Sequence, residues 1–530
     1  MLELINYYIK NIQIPSVKED ECMAEEKKTK TRIVHTTLDR MPYGDYTSDN
    51  VEERKKYITI PQGVRRSELM RDVAVIAWPS LLELILAQLT SMADQVMVGR
   101  IPGEAGVQGL SAVGLAMQPK FLLMIMVMSL NVGSTAVIAR YRGQKNHAKA
   151  NQVFRQALVM NLAIGFFFMI FGRVTSAALI RMMSGGSRAT IDAVTMQKAT
   201  NYLNIQMYGF MAVMFSFTIT AALRGIGDSK VPLFYNTTAN IVNVIFNYIM
   251  IYGKFGCPAM GVEGASWATD IGQCVGAAIA IWSVWGTKRY VGIDLKEKFS
   301  FDKGILNDVV RIGFPAMIEQ AFMRTGAIIF TRAVSGLGTV LFATHNICMN
   351  IQALSMMIGQ AFAVSATTLM GQSLGKRRYD MAVIYMRYTR MLGLCVSALV
   401  GLLVVTFRTQ IIGIHNTTPE VIVAGSSILL LIGCAQPVQA EQFIISGGLR
   451  GAGDTRFAAM VTAVTVILIR SGLAVLMIRV FHMGLWGAWI AMLSDQIMRT
   501  LLMYYRYSTG KWAHMALAHA MEKETEHPEG

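Results

Sequence analysis

Charged residues are scarce in this chain: Asp, Glu, Lys and Arg make up 16% of its 530 residues, and long windows contain almost none of them. This scarcity excludes an ordinary soluble domain. Cysteine is also sparse, and the six cysteines have no paired spacing, which excludes a disulfide framework and a zinc knuckle. Because no basic start followed by an apolar core is found, we expect no cleavable signal peptide.

Apolar residues dominate instead, at 53% of the chain, and the mean hydropathy is +0.41. Twelve apolar stretches are each about 20 residues or longer, enough to cross a hydrocarbon core about 30 Å thick. Since backbone groups in lipid must be satisfied internally and the stretches are too long for barrel strands, the sequence predicts an all-α integral membrane protein with twelve transmembrane helices. The stretches lie at about residues 72–98, 108–139, 150–180, 200–223, 231–253, 259–286, 304–331, 341–373, 382–413, 421–449, 457–481 and 484–508.

Basic residues are distributed unequally between the two sets of alternate loops. The loops after even-numbered spans contain sixteen Lys and Arg residues, and the opposite set contains eight. Because short cytoplasmic loops carry the excess of positive charge, we expect both termini to be cytoplasmic in a multi-pass protein of the plasma membrane. The net charge of +15 follows from this asymmetry and indicates no nucleic acid partner.

The chain contains an internal repeat of six spans. A222-L-R-G-I-G-D-S-K230 returns as G448-L-R-G-A-G-D-T-R456, and W78-P-S-L-L-E83 is echoed by F314-P-A-M-I-E319. An even number of crossings starts both halves from the same side, so the repeat predicts two six-helix bundles related by a pseudo-two-fold axis along the membrane normal. The expected parts are a cytoplasmic, disordered N-terminal tail (1–65), an N-lobe (66–286), a cytoplasmic linker (287–303), a C-lobe (304–508) and a cytoplasmic C-terminal tail (509–530).

The recurring L-R-G-x-G-D segment is interpreted as a turn between two spans. It follows a membrane helix rather than a strand and lacks the Gly-Lys-Ser/Thr ending of a phosphate-binding loop. Glycine is expected to end one helix and Asp228 or Asp454 to cap the next, while Arg224 or Arg450 meets carbonyl groups at the preceding helix end.

An acidic residue inside a membrane span needs a reason, because an aspartate costs about 2.5 to 3.5 kcal/mol at mid-membrane. The candidates are Glu83, Asp94, Asp270, Glu319, Glu441 and Asp495. At 100° per residue, Glu83 and Asp94 lie within about 20° of each other on the first span, about 16 Å apart along its axis.

Four asparagines interrupt the apolar fifth span, F234-Y-N-T-T-A-N-I-V-N-V-I-F-N247. Helical periodicity places them within about 60° of one another, so they form one polar stripe. Asn236 and Asn240 are interpreted as amides that hydrogen-bond neighbouring helices. The stripe is absent from the second half, where Val466, Ile469 and Leu473 occupy the corresponding positions.

Several motifs together resemble the multidrug and toxic compound extrusion (MATE) family, in its bacterial DinF-like branch, over about residues 66 to 510. They are both L-R-G-x-G-D segments, W78-P-S-L-L-E83, A93-D-Q-V-M-V-G-R100, A343-T-H-N-I347, G371-Q-S-L-G375 and A435-Q-P-V-Q-A440. The resemblance implies a monomeric antiporter without a cofactor. It would export organic cations or other amphipathic small molecules across the bilayer in exchange for H⁺ or Na⁺.

The resemblance also implies a cation site in the N-lobe. Asp94 matches the first-span aspartate that binds the coupling ion in the family, and Asn243 and Asn247 match the N-x-x-x-D of its fifth span, with Asn247 in place of the aspartate. Thr269 matches a hydroxyl ligand on the sixth span. If the protein is sodium-coupled, Asp94, Asn243 and Asn247 would bind the Na⁺ ion; because an amide cannot titrate, the choice between H⁺ and Na⁺ stays open.

A central substrate cleft is expected between the lobes. Its candidate residues are Glu83, Gln88, Asn240, Glu319 and Gln320. A structural salt bridge is the alternative for the two glutamates, with Arg324 or Arg470 as the partner of Glu319. Pro79 and Pro315 are the expected hinges of the first and seventh spans.

Two other functions were weighed against a transporter of amphipathic compounds. G371-Q-S-L-G375 fits G-x-S-x-G, but it follows no strand and has no evident histidine and acid partners, so we expect no enzyme. A lipid-linked precursor flippase of the wider superfamily would need a strongly cationic cleft, for which Arg324, Arg332 and Arg470 are the candidates.

Overall fold

The computed structural model describes residues 36–41, 59–184, 192–286, 289–293, 299–415 and 419–513, and its elements in these ranges are helical apart from one isolated bridge between Trp285 and Ile293. The α-helices are α1 Arg66–Gly99, α2 Glu104–Gly143, α3 His147–Met183, α4 Ala193–Tyr208, α5 Phe210–Gly225, α6 Lys230–Tyr252, α7 Gly261–Val284, α8 Lys303–Ser335, α9 Thr339–Gly375, α10 Tyr379–Thr406, α11 Arg408–His415, α12 Pro419–Ala452, α13 Thr455–Val464, α14 Ala474–Arg479 and α15 Gly484–Ser508. A π-helix, Thr465–Leu473, joins α13 to α14, and a 3-10 turn, Thr37–Arg40, precedes α1.

Each of the twelve predicted spans coincides with one helix or one interrupted helix. The fourth span is α4 followed by α5, bent by 53° at Gly209. The eleventh consists of α13, the π-helix and α14, and α11 extends the ninth span after Phe407. The all-α fold with twelve spans is therefore confirmed.

Length and composition alone identify only part of this set. In the described part of the chain, seven helices are long and apolar enough to cross a membrane, and the bent pair makes an eighth. The remaining helices, α6, α7, α8 and α15, carry buried polar side chains that lower their hydropathy. These include Asn247, Asp270, Glu319 and Asp495.

Reciprocal glycine contacts reveal the pseudo-two-fold relation between the N-lobe (α1 to α7) and the C-lobe (α8 to α15). A Cβ atom on Gly143 of α2 would lie 2.1 Å from the carbonyl oxygen of Gln372 on α9, and one on Gly375 of α9 would lie 2.0 Å from that of Arg140 on α2. A second reciprocal set is Gly133 with the carbonyl of Val309 and Gly313 with the carbonyl of Ser129. Such exchanged contacts are what a two-fold axis generates.

The lobes meet closely at the end of the bundle that carries both L-R-G-x-G-D loops, called the motif end below. There the Thr368 hydroxyl on α9 donates to the Arg224 carbonyl at 2.8 Å, and the Gln372 amide donates to the Gly225 carbonyl at 3.2 Å. On α9, Ser365 also donates to the Val73 carbonyl of α1 at 3.1 Å. We call this line of interlobe contacts the seam.

Candidate functional site

One hydrogen-bonded chain joins the four residues predicted to bind the cation. The Asn247 amide on α6 donates both to Asp94 Oδ1 on α1 and, at 3.2 Å, to Asn243 Oδ1 one turn away. The Asn243 amide donates to Thr269 Oγ1 on α7 at 3.1 Å. The helices α1, α6 and α7 thus bring a carboxylate, two amides and a hydroxyl together.

Close packing of α6 on α7 makes this arrangement possible. A Cβ atom on Gly272 would lie 2.7 Å from the Ala239 carbonyl oxygen and 3.0 Å from Asn243 Cβ, so only glycine lets the two helices approach this closely. Thr269 donates its own hydroxyl proton to the Ala265 carbonyl at 2.9 Å. Its oxygen is therefore presented to the site as an acceptor.

Asn247 contains an unsatisfied buried acceptor. Its side chain is 0% exposed, that of Asn243 is 5% exposed, and Asn247 Oδ1 has no hydrogen-bond partner among the described residues. A buried acceptor without a donor costs about 1 to 3 kcal/mol. A bound cation would remove that cost, and carboxylate, amide and hydroxyl oxygens are suitable ligands for a hard ion such as Na⁺. The described residues form no group of three His, Cys, Asp or Glu side chains suited to a transition metal.

Among the six membrane acids, Asp94 differs from the rest by its electrostatic surroundings. Within the described part of the chain, no ion pair involves Asp94, whereas the other five have a cationic neighbour. These are Glu83 with Arg224 (2.9 Å), Glu319 with Arg450 (2.8 Å), Glu441 with Arg390 (2.5 Å), Asp495 with Arg470 and Arg499 (2.7 Å each), and Asp270 with the nearby charge of Lys120. Asp94 is thus the acid available to a mobile cation.

Lys120 and its contacts were missed by the sequence analysis, although a lysine within an apolar stretch was a visible signal. Its ammonium group donates to the Gln206 side-chain oxygen at the end of α4. Asp270 accepts the Gly209 backbone N–H at 3.1 Å, at the bend between α4 and α5. Lys120 therefore balances the charge of Asp270 and ties α4 to α2, while Asp270 holds the bend of the fourth span against α7.

The two arginines of the L-R-G-x-G-D segments have different hydrogen-bond partners from those expected. Arg224 and Arg450 were expected to meet backbone carbonyls, but their guanidinium groups pair with Glu83 and Glu319. The predicted partners of Glu319 were wrong: Arg324 lies 4.9 Å over the Phe121 ring, and Arg470 pairs with Asp495. The glutamates recur in both repeats together with their own arginines, which explains why both lobes form the same bridge.

The motif aspartates have two roles. Asp228 Oδ1 accepts the backbone N–H groups of Lys230 (3.1 Å) and Val231 (3.3 Å), as expected for a cap, and Oδ2 pairs with Arg289 at 3.2 Å. Burial raises the pKa of the Asp228 carboxyl, and the Arg289 charge partly offsets this. Asp454 makes no cap hydrogen bond with α13 and pairs with Arg506 at 2.7 Å.

The other predicted cleft and hinge residues have mixed environments. Gln88 and Asn240 are half-buried and Gln320 is exposed, while Asn236 donates to Glu83 Oε1 at 2.8 Å and links α6 to α1. The hinge candidates, Pro79 and Pro315, are buried within the continuous helices α1 and α8.

Removing the guanidinium of Arg450 is expected to destabilise the protein strongly. Glu319 is 4% exposed and its Oε2 already has no partner, so Arg450→Met leaves a buried carboxylate without a counter-charge. Loss of one member of such a pair costs about 3 to 5 kcal/mol. Thermal unfolding in detergent should show a lowered midpoint, and adding Glu319→Gln should restore most of it. Arg332→Met, at an exposed position of α8, serves as the control; an equal effect in both single variants would contradict the assigned bridge.

Comparison with known proteins places the chain among transporters. The family model MatE matches residues 79–249 and 315–476, one match in each lobe and more than half of the chain in total. The chain is 28% identical over 459 residues to a probable multidrug resistance protein NorM of Thermotoga maritima, covering 85% of this chain and 94% of that one. A crystal structure described as MATE in complex with MaD3S has a TM-score of 0.77 at 20% identity, covering 84% of this chain and 97% of that one. Another solved structure is described as the outward-facing conformation of a multidrug resistance MATE family transporter. It has a TM-score of 0.76 at 20% identity, covering 86% of this chain and 99% of that one.

Proposed function

The chain belongs to the MATE family of membrane transporters, and we propose that it exports organic cations or other amphipathic compounds in exchange for a cation that binds at Asp94. The observation that carries the proposal is the partly buried Asp94 carboxylate, which has an amide donor, an adjacent orphaned amide oxygen and no ion pair within the described residues. The similar protein of Thermotoga maritima is described as a probable multidrug resistance protein, and this description supports organic cations or other amphipathic compounds as the cargo.

Coupling follows from the position of Asp94 between two helices. A proton or Na⁺ arriving from outside neutralises the carboxylate that accepts the Asn247 amide, and so changes the contact between α1 and α6. A shift of α1 then lowers the affinity for cargo, which leaves, and the empty cleft returns to the cytoplasmic side. Because each ligand weakens the other, bound cargo lowers the affinity for the ion by the same factor.

The motif end is assigned to the cytoplasm in this proposal. Its loops carry the excess of Lys and Arg found in the sequence, as expected for the cytoplasmic side of a membrane. The close seam at this end then corresponds to a state closed to the cytoplasm.

The flippase alternative is not favoured by the charges in the C-lobe. Arg470, one of the three arginines that would make the cleft cationic, shares Asp495 with Arg499. Arg324 lies over the Phe121 ring. Export of a labelled lipid precursor, compared with that of an organic dye, separates the two activities.

Asn247→Asp is expected to make the site bind Na⁺ more tightly. The substitution restores the second carboxylate of the family pattern directly beside Asp94, and a higher ligand charge raises cation affinity. We expect the Na⁺ concentration that gives half-maximal thermal stabilisation to fall about tenfold, a change of roughly 1.4 kcal/mol in binding free energy. Asn240→Asp, two turns away on the same face of α6, is the matched control. An identical response in both variants would contradict the placement of the site.

A further inference from the structure

A short segment before α1 lies across the seam at the motif end. Thr37–Arg40 forms a 3-10 turn, flanked by Thr36 and Met41, within the tail that was expected to be disordered. Its Leu38 side chain is 2% exposed and belongs to the same apolar cluster as Leu69 and Val73 of α1 and Leu374 of α9. Leu38 therefore lies in a groove that is lined by residues of both lobes. We call residues 36–41 the strap.

The strap is attached to the N-lobe by a backbone hydrogen bond and two ion pairs. The Thr37 N–H donates to Asp72 Oδ2 of α1 at 2.7 Å. Asp39 pairs with Arg142 at the end of α2 at 3.5 Å, and Arg40 pairs with Glu68 at 3.0 Å. The Arg40 side chain is 63% exposed, so its ion pair contributes least.

The C-lobe holds the same segment from the opposite side. The Lys376 ammonium, directly after α9, donates to the Leu38 carbonyl at 2.7 Å. The Tyr385 hydroxyl on α10 donates at 2.8 Å to Asp72 Oδ2, the oxygen that also accepts the Thr37 N–H. Asp72 and Lys376 are each 2% exposed, so these contacts are shielded from competing water.

We propose that the strap is a latch between the two lobes, which stabilises the conformation closed at the motif end and opposes its opening. The inference rests on the proposed alternating-access function, because opening this end must separate α1 and α2 from α9 and α10. Such a separation breaks the direct bond between Tyr385 and Asp72, and it must also detach the strap either from Asp72 and Arg142 of the N-lobe or from Lys376 of the C-lobe. The strap lies before the matched family regions, which begin at residue 79.

Cysteine labelling in detergent tests the latch without cargo or an ion gradient. In a background lacking the six native cysteines, one reporter is Thr368→Cys, which is 0% exposed at the seam. The second is Phe121→Cys on α2, which faces Arg324 of the C-lobe and is 38% exposed. Each is reacted with a charged maleimide in three strap backgrounds. Leu38→Glu destroys the apolar anchor. Thr37→Pro removes the N–H donor to Asp72 and replaces the Thr37 side chain, at a helix position that accepts proline. Arg40→Ala removes the exposed pair within the N-lobe and is the control.

The expected result is reciprocal. Leu38→Glu and Thr37→Pro should speed labelling at position 368 about tenfold and slow labelling at position 121 about twofold, because the population moves toward opening at the motif end. Arg40→Ala should leave both rates unchanged. Unchanged rates in both strap variants would overturn the latch. Faster labelling at 368 without any change at 121 would also overturn it, because the strap would then merely cover the seam. The assay does not involve Asp94, so failure of the ion-site assignment leaves its outcome readable.

Discussion

Asp94→Asn is expected to abolish gradient-driven dye efflux from proteoliposomes, under an imposed proton gradient and under an imposed Na⁺ gradient alike. An amide neither titrates nor carries charge, so the site loses the carboxylate that accepts the Asn247 amide. Coupling energies of 1 to 3 kcal/mol are typical, and their loss should lower the gradient-driven rate at least about tenfold. Efflux is measured with wild type and variant at equal protein density, with each gradient applied separately.

Asn240→Ala provides the matched control for this experiment. Asn240 lies on the same face of α6 but is not part of the chain from Asp94 to Thr269. Asn240 was a candidate for the substrate cleft and not for the ion site, so its loss should leave the dependence of efflux on the gradient intact. The gradient that drives wild-type efflux identifies the coupling ion, and unchanged efflux in Asp94→Asn under that gradient would refute the role of Asp94.

The twelve spans, and the common face that Asn243 and Asn247 share, could be predicted from the sequence because both depend on local patterns. Apolar length determines which segments cross a membrane, and the helical repeat places Asn243 and Asn247 on one face. The family resemblance then supplied Asp94 and Thr269 from distant helices. The hydrogen bond between Asn243 and Thr269 follows from the close approach of α6 to α7 at Gly272, which no single helix encodes.

Long-range charge pairing was less predictable. Arg324 and Arg470 were considered as partners of Glu319 because they lie in membrane spans. The internal repeat, however, already indicated the observed partners, Arg224 for Glu83 and Arg450 for Glu319. Glu83 and Glu319 recur together with Arg224 and Arg450, and a pair that recurs as a unit is better supported than one found once.

The strap could not be predicted because its region is charged and has no apolar periodicity. Leu38 is buried only by a groove that helices of both lobes create together. The composition of residues 1–65 therefore supported disorder, while the groove that orders residues 36–41 exists only in the folded protein.

Gly375→Ala is expected to prevent closure of the seam. The added Cβ would lie 2.0 Å from the Arg140 carbonyl oxygen, which is backbone within α2 and cannot rotate away. Overpacking of this kind costs about 1 to 3 kcal/mol, which is enough to shift a two-state equilibrium about tenfold or more. Because transport requires both states, dye efflux should fall by a similar factor, while Thr368→Cys at the seam should label faster.

Gly114→Ala is the control, because its added Cβ has no neighbour within 4 Å and the substitution favours the α2 helix. It should keep wild-type efflux and labelling. The reciprocal contact makes a second prediction: a Cβ on Gly143 would lie 2.1 Å from the Gln372 carbonyl, so Gly143→Ala should reproduce the Gly375→Ala result. Agreement between the two would show that the seam closes about a two-fold axis, since the substitutions lie on opposite lobes. Normal efflux in both would mean that the lobes do not need this contact to complete the cycle.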